Sequence, residues 1–210
     1  PRHNAYKGLP DGSLFFFRMM MNLLKCIIGL KFLALIDYCD KVEAGISGRK
    51  LAQLKALAEA FQEMPKAYYI RGTTYFGSIL VLFYTLLLSY AGLAIAFRTV
   101  TGGWGVIAGL VIFILLVVAL SGAEKGRTLS LRLFLAVWSA LCVCNVLVAG
   151  WLLFASFSWL SVGCWAGSLL LLWLTRQVMN GPELTKLIQW RASLRIGKYR
   201  RQALTQPRRK

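Results

Sequence analysis

The chain alternates between long runs without any charge and short stretches crowded with basic residues. Thr73 to Phe97 and Thr99 to Ala123 each hold 25 uncharged residues, and Leu133 to Thr175 holds 43. A helix rising about 1.5 Å per residue needs about 20 apolar residues to cross a hydrocarbon core of about 30 Å. The first two runs are therefore single crossings. The third is two crossings joined by a tight turn at Ala155-Ser156-Phe157-Ser158, with Trp151 and Trp159 at interface depth. The pattern predicts an all-α, polytopic membrane protein with four transmembrane helices, near 74–97, 103–122, 133–153 and 159–176, plus an amino-terminal amphipathic interfacial helix.

That helix is expected over Phe15 to Ile36. The segment is apolar, but Arg18, Asn22, Lys25 and Gly29 recur at spacings of four, three and four, which is one helical stripe. The rest of its surface suits the cytoplasmic interface, with Lys31 snorkelling. The alternative is a fifth span, which would put Pro1 outside and cost about 2.5–3.5 kcal/mol for a central lysine. A signal peptide is not expected, since charges interrupt the apolar region and no small-residue cleavage site follows. After a break at Gly45-Ile46-Ser47-Gly48, Leu51, Leu54, Leu57, Ala58, Phe61 and Met64 repeat at three or four residues and stop before Pro65. They predict a short cytoplasmic helix whose apolar stripe is covered within the chain. From Gly181 the tail opens as a helix, with Pro182 and Glu183 in its first turn. Three regions result: 1–72 cytoplasmic and interfacial, 73–178 a four-span bundle, and 179–210 a basic cytoplasmic tail.

Charge then orients the spans. The chain has 25 Lys plus Arg against 8 Asp plus Glu, a net +17, yet only 16% of its residues are charged where soluble domains average about 25%. The basic and apolar residues are thus segregated, which disfavours a soluble nucleic-acid binder. Eleven basic residues precede the first span, Lys125, Arg127 and Arg132 fall in the middle connection, and nine lie between Lys186 and Lys210. Arg98 alone marks the other two connections. Short basic loops stay cytoplasmic, so both termini are expected on the cytoplasmic face of a bacterial inner (plasma) membrane. The outer loops are too short for a receptor domain. Arg18, Lys25, Lys186, Arg191, Arg195, Lys198, Arg200 and Arg201 are expected to meet an anionic inner leaflet at about 1 kcal/mol each. Nucleic acid is the less favoured ligand for the same charges, because the tail leaves a span and is already held at the surface.

Few residues carry chemistry. His3 is the only histidine, which excludes histidine triads and multi-histidine metal sites. The uncharged runs hold no Asp, Glu, Lys or Arg, the groups by which transporters and proton relays work, and Arg176 stands only at the last position of the fourth span. Asn145 is the strongest polar group at membrane depth and is expected to make an interhelical hydrogen bond. Asp37, Asp40 and Glu43, at i, i+3 and i+6, could together hold a divalent ion with lipid phosphate, although plain solvation at the end of the interfacial helix accounts for them. Cysteines at 26, 39, 142, 144 and 164 lack zinc spacing and read as buried small hydrophobes. Gly105 with Gly109 and Gly163 with Gly167 are small-xxx-small pairs at similar depth, able to pack the second span on the fourth or to join two copies in a homo-oligomer. No catalytic residue, cofactor or metal is expected.

The layout resembles the entry-exclusion proteins of conjugative plasmids, which block redundant transfer into a cell already holding the plasmid. The resemblance lies in Tyr6-Lys7-Gly8-Leu9-Pro10-Asp11-Gly12 leading into Phe15 to Ile36, then the charged helix, four spans and a basic tail. It implies a non-enzymatic inner-membrane protein that contacts an incoming transfer apparatus during conjugation. An immunity protein against a pore-forming toxin is the same kind of object physically. A membrane enzyme using the three carboxylates, or a transporter accessory subunit, are the remaining alternatives.

Overall fold

The computed structural model describes residues 28–59, 72–97, 103–123, 125–154 and 158–205. Among these the elements are all helical: α1 (Leu30–Ser47), α2 (Leu51–Glu59), α3 (Gly72–Ala96), α4 (Trp104–Ala123), α5 (Thr128–Phe154), α6 (Trp159–Met179) and α7 (Pro182–Thr205). Three helices are long and apolar enough to cross a membrane, over Gly77–Ala96, Trp104–Ala123 and Thr128–Leu152. A helix satisfies its own backbone groups, which is what a lipid environment demands of a spanning segment. α6 is as long, but Trp159, Trp165, Trp173, its hydroxyl residues and Arg176 dilute its apolar character below that of the other three.

α3 is the centre of the bundle. It packs most extensively along α6 and also touches α4, α5 and α7. α4 packs on α5 and α3 and leaves the rest of its surface bare, with Val106, Leu110, Val111 and Ile114 all exposed. One apolar core runs through the molecule: Leu82, Leu86, Leu116, Phe134 and Leu141 from the bundle share it with Phe32 and Leu35 of α1 and with Leu184 and Ile188 of α7.

The amino-terminal helix differs from the sequence expectation in its bounds. Residues 15–27, with Arg18 and Lys25, lie outside the described residues, while the helix that contains Ile36 starts at Leu30 and continues to Ser47. Gly29 interrupts the chain at φ 104° and ψ 137°, a region only glycine visits without strain. Gly48 ends α1 and Arg49, at φ 52°, turns the chain into α2. α2 is short. Its Leu54 is fully buried beside Val42, Ala192 and Ile196, so cover comes from α1 and α7, and Phe61, Met64 and Pro65 lie outside the described residues.

The two ends of the bundle are unlike. Trp104, Phe154 and Trp159 are exposed at one end, where Trp151 also packs edge-on against Phe97 with ring centroids 5.0 Å apart. At the other, α1, α2, α7 and the α4–α5 turn come together in a charged base.

Candidate functional site

Polar groups concentrate in two places, a neutral seam inside the bundle and the charged base. The seam grows from small and hydroxyl residues that recur on facing sides of α3 and α6. Thr85 and Ser89 on α3 meet a face of α6 carrying Ser168 and Thr175, and all four are buried. The Ser89 and Ser168 hydroxyls lie 2.8 Å apart, and Thr175 donates to Thr85 Oγ1 at 2.9 Å. Asn145 of α5 joins them, its Nδ2 donating to Ser168 Oγ at 3.1 Å and to the Leu141 carbonyl at 2.9 Å. Two indoles tie α5 to α6 through backbone carbonyls: Trp138 Nε1 donates to Leu172 O and Trp165 Nε1 to Asn145 O, each at 3.1 Å. An apolar groove of about 460 Å³ opens beside them, lined by Trp138, Asn145, Trp165 and Trp173 among others. Hydroxyls, an amide and indoles can hold helices together, but none of them ionises near neutral pH.

The glycine pairs divide. A Cβ on Gly109 would come within 2.8 Å of the Tyr90 ring, and the Tyr90 hydroxyl donates to the Gly105 carbonyl, so this pair receives α3. Gly163 and Gly167 have nothing within 4 Å of the corresponding point. Packing of the second span on the fourth through the two pairs is therefore not what the chain does; α6 meets α3 one residue along, at Cys164 and Ser168, where Gly92 lets the backbones approach and a Cβ would lie 3.0 Å from the Cys164 carbonyl oxygen.

In the base the three carboxylates are engaged with cations. Asp37 pairs with Lys41 at 2.6 Å, and Arg132 Nη2 donates to both oxygens of Asp40 at 3.0 and 2.8 Å. Glu43 does more. Its Oε1 accepts the Thr128 backbone N–H at 3.1 Å, an otherwise orphaned donor in the first turn of α5, and also faces Arg195 Nη1 at 3.3 Å. Arg195 in turn donates to the Gly126 carbonyl at 2.8 Å. One carboxylate thus links α1, the α4–α5 turn and α7. Asp40 and Glu43 thus make tertiary contacts, whereas Asp37 stays on an exposed face of α1 with Lys41 of the same helix, and no cluster of potential metal ligands occurs among the described residues.

Asn180, at the carboxy end of α6, is the second link. Its Nδ2 donates to the Ile28 carbonyl at 2.7 Å and to Arg176 O at 3.0 Å, while its Oδ1 accepts the Phe32 N–H of α1 at 3.3 Å. A Cβ on Gly29 would lie 2.1 Å from that oxygen.

The tail's basic residues also divide. Lys186, Lys198, Arg200 and Arg201 are exposed on α7, whereas Arg191 and Arg195 are half-buried and turned inward. The apolar face of α7, with Leu187, Ile188, Ala192 and Ile196, is covered by the protein itself. Cys39 is buried, and burial with the nearby Glu43 carboxylate pushes its thiol up to about 12, which makes it a poor nucleophile. Cys142 and Cys164 are half-buried, but Cys144 is exposed on the outer face of α5, contrary to the expectation of burial; Cys26 lies outside the described residues.

Sequence reasoning singled out Asn145 but not Ser89, Ser168, Thr85 and Thr175. Their spacing, 85 to 89 and 168 to 175, was the available signal. Asn180 and Gly126 gave none, since their roles exist only once distant segments meet.

Fold and polar groups together define an all-helical protein with three helices able to cross a membrane and a charged base at one end of the bundle. No known protein family, curated protein or solved structure matches the chain.

Proposed function

We propose that this chain is a non-enzymatic, multi-pass protein of the bacterial inner membrane that acts by contact with another membrane protein, in plasmid entry exclusion. In this reading α6 is the fourth span: it is uncharged from Trp159 to Thr175 and exposes Leu160, Leu170 and Trp173. The charged base lies in the cytoplasm with both termini, as the distribution of Lys and Arg requires, and the aromatic end faces outward. The segment preceding Gly29 lies along the cytoplasmic interface as an amphipathic helix.

The observation that carries the contact reading is the composition of the seam. Its buried hydroxyls bond to one another and to carbonyls, and it contains no ionisable side chain for acid–base catalysis or ion translocation. What remains available to a partner is surface, and the resemblance of the layout to entry-exclusion proteins names the partner as the conjugative transfer apparatus. Conjugation frequency into recipients expressing the chain tests this, with related and unrelated donor plasmids and a pore-forming toxin challenge in parallel. A drop of orders of magnitude for one plasmid type alone is the expected result. Unchanged transfer from every donor refutes exclusion, and protection from a toxin would replace it with immunity.

A further inference from the structure

The α4–α5 turn and α7 enclose a groove of about 420 Å³ at the charged base. Among the described residues every charged side chain lining it is basic: Lys125, Arg127, Arg191, Arg195 and Lys198. Arg195 is engaged by Glu43 and the Gly126 carbonyl, but the other four make no ion pair with a described acidic residue. Four like charges converging on one concavity repel one another, so the site favours an anion.

Arg191 sets this groove apart from an ordinary basic surface. Its guanidinium stacks over the Trp190 ring at 4.7 Å, and its Nε is shielded from solvent without a hydrogen-bond acceptor. A shielded donor of this kind is costly until an acceptor arrives. The turn is also held in place: Gly126 has φ 60°, and a Cβ there would lie 3.1 Å from the Ala192 backbone nitrogen, so the turn lies tight against α7 with Lys125 and Arg127 on either side of the contact. The groove's depth narrows the choice of anion. Ala123 ends α4, a helix able to cross a membrane, so the side chains two and four residues later stand at head-group level. Ile46 and Leu194 supply an apolar flank suited to the glycerol end of a lipid.

From these features we infer that the groove binds the phosphate of an anionic phospholipid head group, with Lys125, Arg127, Arg191 and Lys198 supplying the positive charge. A phosphate from solution has the same chemistry; position favours the lipid. The inference uses the membrane character of the bundle and is independent of exclusion.

The test uses the full chain in neutral detergent, titrated with short-chain phosphatidylglycerol, phosphatidylcholine or inorganic phosphate, with native mass spectrometry and thermal midpoint as readouts. Phosphatidylglycerol is expected to stay bound and raise the midpoint, with phosphatidylcholine about tenfold weaker because its choline offsets the phosphate charge. The double variant Arg127→Gln, Lys198→Gln, both exposed and outside the core, is expected to weaken phosphatidylglycerol by about tenfold or more. Arg200→Gln, on the same helix but outside the groove, is expected to change it by about twofold at most. Equal losses in both variants would mean diffuse surface charge and overturn the site, as would equal binding of the two lipids. Displacement of the lipid by equimolar inorganic phosphate would keep a phosphate site but overturn the lipid assignment.

Discussion

The bundle and the base are held together by different physics. In the bundle the helices meet through small residues, hydroxyls and one amide, and the α3–α6 contact is closest where Gly92 faces the Cys164 carbonyl. In the base the contacts are ionic or made by an amide to backbone: Glu43, Arg195, Arg132, Asp40 and Asn180 join segments that are between 69 and 152 residues apart. The division follows from solvent. A charge in hydrocarbon costs several times what a neutral hydroxyl does, so spans rely on shape and short neutral bonds. At the water boundary a carboxylate can pair with a guanidinium and cap a helix at modest desolvation cost. Long-range order at the base therefore depends on a few polar residues, whereas order in the bundle is spread over many small contacts.

This contrast predicts how each region fails. The largest loss is expected at the base from Gly29→Ala, which forces a non-glycine residue to φ 104° and displaces Asn180 from Ile28 and Phe32, its partners on either side of Gly29. About 2–4 kcal/mol is expected, read as a lowered midpoint of thermal unfolding in detergent. Next is Gly92→Leu in the bundle, about 1–3 kcal/mol from overpacking against a backbone carbonyl, while Gly163→Leu, with open space around it, stays within about 0.5 kcal/mol. Equal effects at the two glycines would mean that α3 and α6 do not pack as described.

Glu43→Ala is expected to cost about 1–2 kcal/mol, because it strands the Thr128 N–H and a half-buried Arg195. Raising salt should shrink the gap between this variant and the parent, through screening of the partly exposed pair. Ser168→Ala, which removes one of the two partners of Ser89 and of the Asn145 amide nitrogen and leaves the Ser168 and Leu141 carbonyls in place, is expected to cost only about 0.6 kcal/mol, the usual scale for hydrogen bonds between helices of a membrane bundle. The effect that is smallest at neutral pH concerns Cys39. Its folded-state thiol is pushed from 9.0 up to about 12, so the unfolded chain ionises first on the way up, and stability is full below pH 9 and declines between there and pH 12. Cys39→Ala should flatten that alkaline decline, and the native thiol should resist alkylation at pH 8.

Much of the fold was legible because its signal is local. The uncharged runs predict four spans, three of which coincide with membrane-length helices, and Gly48 and Pro182 mark the start or end of elements that the structure contains. Less legible was anything that depended on which helix faces which. The glycine pairs looked alike in sequence, yet a Cβ on Gly109 would meet Tyr90 and one on Gly167 would meet open space, since α4 and α6 pack mainly on α3 and α5 and not on each other. The three carboxylates looked like a metal site or a solvated helix end because their cations lie on α5 and α7 as well as on α1.

The sequence by itself determined the class of object, an all-helical chain with membrane-length apolar helices and segregated basic charge, because hydrophobic length and charge placement act residue by residue. Only the tertiary structure decided that α1 and α7 share the bundle's core, that Glu43 and Asn180 join the base, and that four basic residues converge on one groove. Those outcomes depend on distances between side chains far apart in the chain, and such distances exist only after the helices have packed.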